Sequence, residues 1–358
     1  MDFELSDDQR MLKDSVERLI SDRYGLEQRL RYQSEPCGWS KAIWNDFVEL
    51  GLTMLPFSEE HGGLGLGGVE TMIVGEAFGR GLVVEPYLCS IVLAGEAIAQ
   101  GGGEGAGDLL GPIMGGEIIA ALADRAEVVT EGSTLSGSAT VVLGGDTAQL
   151  FVIPEGEGAW LLPADARGLA VRPYRLHGGG GAADLSLDSV PLEDAQRLAD
   201  GAVARAIECG IGFLAAEATG AMQAALDGTV EYLKTREQFG KPIGSNQALQ
   251  HKAAEMLVEV EQARSAAIYA AILSNEPDAA ERARGMAAVK AVIGKTGRFV
   301  AQNAVQLHGG IGVSEEHIVS HYFRRLTAIG MLLGGTDMQL KRLAELGGFT
   351  GPEDHLAA

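Results

Sequence analysis

The 358-residue sequence predicts a mainly helical α+β protein laid out in the order helical domain, β domain, helical bundle. Three observations predict that order. Apolar residues recur at helical spacing in the first part, short β-type runs broken by Gly, Pro and Asp replace them in the middle, and longer helical stripes return from about Ala202. A chain of this length holds more than one core. The boundaries read from the sequence are 1–115, 116–200 and 201–358.

In the first domain Ser6, Asp7, Asp8 and Gln9 form a capping-box pattern, with Leu12, Val16, Leu19 and Ile20 on one face after it. Ser40 to Leu50 repeats the logic, with Ile43, Trp44, Phe47 and Leu50 apolar and Gly51 at the stop. Further helices are expected over Val69 to Phe78 and over Ser90 to Gln100, and Gly101 to Gly107 reads as a mobile connection. In the middle domain Val128-Val129, Thr140 to Leu143, Leu150 to Ile153 and Leu161-Leu162 are strand-like, and Asp184 to Asp188 alternates with period two. This zone reads as a small antiparallel β domain. In the last domain one helix ends near Lys234, a second runs from Asn246 to about Leu273, a third opens on a capping box at Asp278, and the last starts near Thr336. Four such apolar-striped segments make an antiparallel bundle.

Composition excludes several classes of function. Hydrophobic residues at 46% and charged residues at 22% describe a packed protein, not a disordered one. A formal net charge of −21 repels nucleic-acid phosphates and anionic lipid headgroups, so neither partner is expected. Cys37, Cys89 and Cys209 are odd in number and far apart, which gives neither a disulfide framework nor a metal-ligand cluster and fits a reducing cytoplasm. The start Met-Asp-Phe-Glu has no basic or apolar leader pattern, and no 18-residue uncharged run follows.

Gly63 to Gly68 matches G-x-G-x-x-G formally, but Leu55 to Glu60 before it is no buried strand, so it reads as a helix connector. Three later stretches are more informative. Arg236 to Gly244 puts a guanidinium at a helix end, then an aromatic and a tight turn. Gln306 to Gly312 joins an amide side chain to glycines that let a ligand approach the backbone. Gly334-Gly335-Thr336 immediately precedes the final helix, whose free N–H groups can hold an anion. Singly these are ordinary caps and turns; together they suit a pyrophosphate-containing ligand. His308 reads as a packing residue, Arg324-Arg325 as surface cations or partners of acidic neighbours, and Trp39, Trp44 and Trp160 as scattered.

In this order the segments resemble the acyl-CoA dehydrogenases, flavoproteins that form a 2,3-double bond in an acyl-CoA thioester. The resemblance spans essentially the whole chain and is most specific over Thr235 to Ile243 and Ala304 to Gly312, with further matches at Phe3 to Gln9 and Glu59 to Gly65. It implies an N-terminal helical domain, a middle antiparallel β domain and a C-terminal four-helix bundle. It also implies FAD lying across a dimer interface. By resemblance, Arg236, Gln238, Phe239, Gln306, Gly309 and Gly310 match residues offered to a neighbour's FAD, and Thr336 matches a contact to the subunit's own FAD. The family's chemistry needs a carboxylate to take the α-proton of an enolate-stabilised thioester. Acyl-CoA is the implied substrate and an electron-transfer flavoprotein the implied electron acceptor.

The departures from the family are as telling. The glutamate that usually precedes the Gly-Thr pair is Gly334, and the second family location of the base falls on Gly210. Glu208 is nearby, but two residues is about 200° of helical rotation, so no catalytic residue is assigned. The hydroxyl-bearing flavin segments correspond to Ala121 to Arg125 and Thr140 to Gly145, the ring-stacking Trp has become a valine, and a family glutamine aligns with Met338. Groups serving this chain's own flavin are largely gone, while groups reaching a neighbour's are kept. The reading this favours is a subunit completing the FAD site of an unlike catalytic partner. A self-sufficient homotetramer with a relocated base and a structural homologue without FAD are its rivals.

Overall fold

The computed structural model describes residues 4–348; Met1, Asp2 and Phe3, which open the N-terminal motif, lie outside the described residues, as do 349–358. Helices α1 (Asp7–Arg23), α2 (Leu26–Gln33), α3 (Lys41–Glu49) and α4 (Gly68–Gly81) come first. A π-helical segment, Leu88–Gly95, runs into α5 (Glu96–Gly101), and α6 (Ala106–Met114) follows. Next come β1 (Ala120–Leu122), β2 (Ala126–Glu131), β3 (Thr134–Leu143), β4 (Leu150–Glu155), β5 (Gly158–Pro163), β6 (Leu169–Arg175), β7 (Gly181–Pro191) and β8 (Gln196–Leu198). The last part holds α7 (Ala202–Thr235), the two-residue strands β9 (Glu237–Gln238) and β10 (Lys241–Pro242), α8 (Gln247–Leu273), α9 (Ala279–His308), α10 (Ile318–Met331) and α11 (Thr336–Glu345). Among the described residues no helix is long and apolar enough to cross a membrane. The chain makes two compact units, one of residues up to Leu26, Gly68–Val83 and Ile211 onward, the other of Glu27–Gly67 and Val84–Gly210.

The second unit carries the β structure as two four-stranded sheets, β1-β4-β5-β8 and β2-β3-β7-β6. Leu135, Val142, Phe151, Ile153, Leu162, Leu185 and Val190 fill the core between alternating outward residues. The period-two stretch behaves as read, with Leu185 and Leu187 buried and Ser186 and Asp188 exposed. One pairing departs from the antiparallel expectation: β1 runs parallel to β4, Ala120 opposite Leu150. The intervening β2–β3 hairpin belongs to the other sheet, and it supplies the long crossover a parallel pair needs.

Helical parts of this unit correct other expectations. Gly101 to Gly107 is not a loose connection but the end of α5, a 3-10 turn at Gly103–Gly105 and the start of α6. Its glycines mask a helical stripe of Ala106, Leu110 and Ile113, all fully buried. Leu50 caps α3 and is exposed, outside the buried face of Ile43, Trp44 and Phe47. Trp39 and Trp44 are not scattered but meet edge-on at 6.0 Å. The Gly63 to Gly68 stretch follows a 3-10 turn, Glu59–His61, as a connector should. A Cβ on Gly63 would stand 2.2 Å from the Phe57 carbonyl oxygen, so packing rather than a phosphate requires that glycine.

In the first unit α1 begins on the capping box read from the sequence, Ser6 and Gln9 each bonding the other's backbone. Helices α4 and α7 touch backbone to backbone: a Cβ on Gly79 would lie 1.8 Å from Glu217 O, and one on Gly220 1.9 Å from Glu76 O. At this crossing the buried Glu217 carboxylate accepts two bonds from Arg325, at 2.5 and 2.7 Å. Tyr322 Oη donates to Arg80 O at 2.6 Å, so α10 is held to both helices. Helix α10 is additional to the four segments read from the sequence. Its buried stripe, Val319, Tyr322, Leu326 and Ile329, is interrupted by Arg324-Arg325, of which Arg325 is an internal anchor and not a surface cation. Lys290 is also buried, and its ammonium caps the α10 C-terminus by donating to Ile329 O at 2.9 Å. Burial pushes its pKa down to about 8.

Arg325→Ala leaves Glu217 charged and buried without its partner, and we expect a loss of about 3 kcal/mol or more in urea unfolding. Arg324→Ala, which opens the pair to the exposed Glu315 and two bonds to Ser320 on its own helix, is expected to cost about 1 kcal/mol, well below Arg325→Ala in the same measurement.

Candidate functional site

Two strips of sequence-predicted residues lie at the ends of α7 and α9. At the first, Arg236 N donates to Tyr232 O at 2.8 Å as α7 ends, and Ile243 N returns to Arg236 O at 2.8 Å, closing the β9–β10 hairpin. Its turn residues Phe239 and Gly240 have φ of +55° and +78°, the primed-turn conformation that matches strand twist. For phenylalanine that conformation is strained by about 1 kcal/mol, and its ring is 100% exposed. Gln238 donates to Glu237 O at 2.8 Å. The Arg236 guanidinium is exposed, and among the described residues no ion pair or side-chain hydrogen bond engages it.

At the second strip Gln306 is exposed in the last turn of α9, and Gly309 adopts φ 66°, ψ −141°, a conformation open to glycine alone. A Cβ added to Gly309, Gly310 or Gly240 would meet nothing within 4 Å. Packing within the chain therefore does not require a bare backbone at Gly310; an approaching ligand would.

A ring stack that sequence reasoning missed joins the strips. Tyr232, one turn before Arg236, lies 4.5 Å from His308 with the planes 25° apart, and His308 lies 4.8 Å from His317. His308 Nδ1 is 2.7 Å from Ala304 O, so it carries the proton and Nε2 is a bare acceptor, buried and without a partner among the described residues. Burial, with a further contribution from His317, pushes His308 below the ordinary histidine pKa against the opposing Ala304 bond. His317 is lowered by burial, and its Nδ1 accepts from Val319 N at 3.3 Å as the cap of α10. The missed signal was positional: Tyr232 stands four residues before Arg236, and His308 immediately before the two glycines.

Around the start of α11, Thr336 packs against Gly294, where a Cβ would meet Thr336 Oγ1 at 2.3 Å. Gly334 has φ +97°, and a Cβ there would stand 2.1 Å from Met338 Cε and 2.7 Å from Gln339 Nε2. Gln339 is buried, donates from Nε2 to Leu333 O at 2.7 Å, and leaves Oε1 without a partner among the described residues. The position that resemblance gives to the base is thus left-handed backbone under a neighbouring amide. Glu208 lies in the second unit, buried and 3.5 Å from Arg205, whose Nε is 3.9 Å from Glu96. Burial raises the Glu96 pKa, and its carboxyl also meets the Cys209 thiol. Glu208 is therefore part of a charge cluster.

The β-domain positions that would line a flavin are apolar. Ala121, Leu122, Ala123 and Val142 are buried. Val141 sits at a β-bulge with φ +55°, its N–H donated to Asp184 at 3.1 Å. The chain's free guanidinium, exposed aromatic and bare glycine backbone fit the pyrophosphate and adenosine end of FAD, whereas these β positions offer a flavin ring little to bond with.

Comparison with known proteins identifies the family. Residues 6–108 match the family model for the acyl-CoA dehydrogenase N-terminal domain, and residues 203–347 the model for the acyl-CoA dehydrogenase C-terminal domain. Acyl-CoA dehydrogenase FadE27 of Mycobacterium tuberculosis is 30% identical over 85% of this chain and 87% of its own. Among solved structures, a variant of the Tcur3481-Tcur3483 steroid ACAD is 27% identical with a TM-score of 0.89, covering 98% of this chain and 99% of its own. The ChsE4-ChsE5 complex from Mycobacterium tuberculosis gives 26% and 0.87, covering 98% and 100%.

A histidine held below its unfolded pKa binds fewer protons in the native state, so its contribution to stability is lost as pH falls below about 6.5. His308→Phe keeps a ring in the stack and removes the titration. In urea unfolding at pH 5 to 7.5, the variant is expected to lose less stability toward acid than the native chain.

Proposed function

The chain belongs to the acyl-CoA dehydrogenase family, and from that membership we propose that it is the base-less subunit of a heteromeric acyl-CoA dehydrogenase, completing a FAD site held by a catalytic partner. The observation that carries this reading is the contrast between an open trans strip and a closed base position. Arg236 is free to pair with a pyrophosphate, Gln238 and Gln306 can donate amide hydrogen bonds, and Gly309 and Gly310 admit the ligand to the backbone. Phe239 offers its ring to the adenosine or to the partner's surface. Gly334 cannot be read as a glutamate lost by one substitution, because its φ of +97° disfavours any side chain. Glu208 is neutralised by Arg205 and is not proposed as a base. Two solved relatives support an assembly of unlike chains, one described as a ChsE4-ChsE5 complex and one naming Tcur3481 and Tcur3483 together.

In such an assembly FAD supplies the hydride acceptor for α,β-dehydrogenation of an acyl-CoA, and the partner supplies the carboxylate. This chain binds and orients. Thr336 stands ready for a contact on its own side, and an electron-transfer flavoprotein is the proposed acceptor of the electrons.

Flavin per polypeptide tests the reading. The chain purified alone is expected to be colourless, and co-purified with its catalytic partner to hold about one FAD per heterodimer. Arg236→Ala in this chain is expected to weaken FAD retention by the pair about tenfold or more, and Gly334→Glu to leave the chain alone inactive. One FAD per chain in the isolated protein would overturn the proposal.

A further inference from the structure

We infer that the contact between His308 and His317 is an acid-sensitive clasp on the glycine loop of residues 309–316, closed at neutral pH and opened when the pair takes up a proton. The two histidines bracket that loop in sequence, and their rings close its base at 4.8 Å. Tyr232 of α7 meets both rings, His308 in a stack at 4.5 Å and His317 edge-on at 6.4 Å. Within the loop burial is slight: of Gly309–Val313 only Gly312 is buried, while Ile311 and Val313 are exposed. Ser314 N and His317 N bond back inside the segment, to Ile311 O at 3.1 Å and Ser314 O at 3.3 Å. The ring contact is therefore what joins the two ends of the loop to each other and to α7.

Neither ring has a place for another proton. His308 donates from Nδ1 to Ala304 O, so a further proton goes to Nε2, which is buried and has no acceptor among the described residues. His317 accepts the Val319 N–H at Nδ1, and a proton there sets donor against donor and removes the cap of α10. A charge on one ring also opposes a charge on the other. Of the groups packed around the pair, Tyr232 faces it from α7, and His317 is the one charge that acts on His308. The loop's carboxylates supply no counter-ion: Glu315 is held by Arg324 at 2.9 Å, Glu316 is exposed, and neither acts on either ring. Because burial disfavours the charged form of both rings, the clasp is complete above about pH 6.5 and weakens as pH falls through the lowered values of the folded chain. His317 is the less buried ring, so it is the one that turns out to water. The inference rests on the half-site reading for its consequence alone: with the clasp open Gly309 and Gly310 lose their fixed place, and the paired subunits release FAD in acid.

Hydrogen exchange of the 309–316 amides in the isolated full chain, corrected for the intrinsic pH dependence of exchange, tests the clasp. Exchange is expected to be about tenfold faster at pH 5 than at pH 7.5. His317→Phe keeps a ring beside His308 without the proton, and its loop is expected to stay protected at both pH values. His317→Asn keeps a cap for α10 without the ring, and its loop is expected to exchange fast at both. A native loop equally protected at pH 5 and 7.5, an acid response in His317→Phe equal to the native one, or native protection in His317→Asn overturns the inference. In the heterodimer, FAD is expected to be held about tenfold less tightly at pH 5, and with no such loss in His317→Phe. FAD retention indifferent to pH while the loop opens overturns the link to the cofactor. A heterodimer without FAD at pH 7.5 overturns the half-site reading instead, and exchange in the isolated chain still decides the clasp.

Discussion

The ring stack of Tyr232, His308 and His317 is the contact on which the functional surface depends. Helices α7 and α9 are 34 and 30 residues long, and each ends in a segment that leaves the helix under glycine control. Small rotations of either helix would move Arg236 and Gly310 apart. The nearly parallel contact of Tyr232 with His308 fixes the ends of α7 and α9 to each other where the segments diverge, and His317 beside His308 adds the start of α10. His317 must be neutral to accept at Nδ1, and burial disfavours the charged form of both histidines. The same contact thus sets both the geometry of the strip and its response to acid.

The closed base position has its own supports. Lys290 holds the carbonyl of Ile329 beneath the turn that follows α10, and Gln339 lies over Gly334 from the first turns of α11. The left-handed backbone at Gly334 lies between these two fixed points. The absence of a carboxylate is therefore a property of the turn as a whole, which explains why Gly210 and Glu208, on another helix, do not replace it. Glu208 is drawn into a buried charge cluster with Arg205, Glu96 and Cys209.

Much of this was legible in the sequence because it is local. The capping residues Ser6 and Asp278, the glycine turn after α9 and the hairpin after α7 are each set by residues within a few positions of one another. The features the sequence concealed are non-local or masked by charge. The parallel β1–β4 pair depends on a hairpin leaving for the other sheet, and α10 hides its apolar stripe behind two arginines, of which Arg325 has its partner on the distant α7. The left-handed φ of Gly334 could not be read from one glycine among 50. Nor could the joining of Tyr232 to His308, which lies 76 positions away on a different helix.

Where the chain breaks ordinary rules also separates a site from a scaffold. A fully exposed phenylalanine forgoes about 2 kcal/mol of burial, its left-handed backbone costs about 1 more, and a buried acceptor without a partner costs about 1 to 3. Phe239 and His308 incur these costs at the two ends that the ring stack joins. Nothing offsets these costs within the described residues, where no group covers Phe239 and no bond reaches His308 Nε2. The deeply buried charges elsewhere, Glu217 with Arg325 and Glu208 with Arg205, are by contrast paired. Exceptions also lie elsewhere, at the left-handed Val141 and the buried Gln339 Oε1, but Phe239 and His308 stand beside Arg236 and the bare glycines, where the proposed half-site would use them.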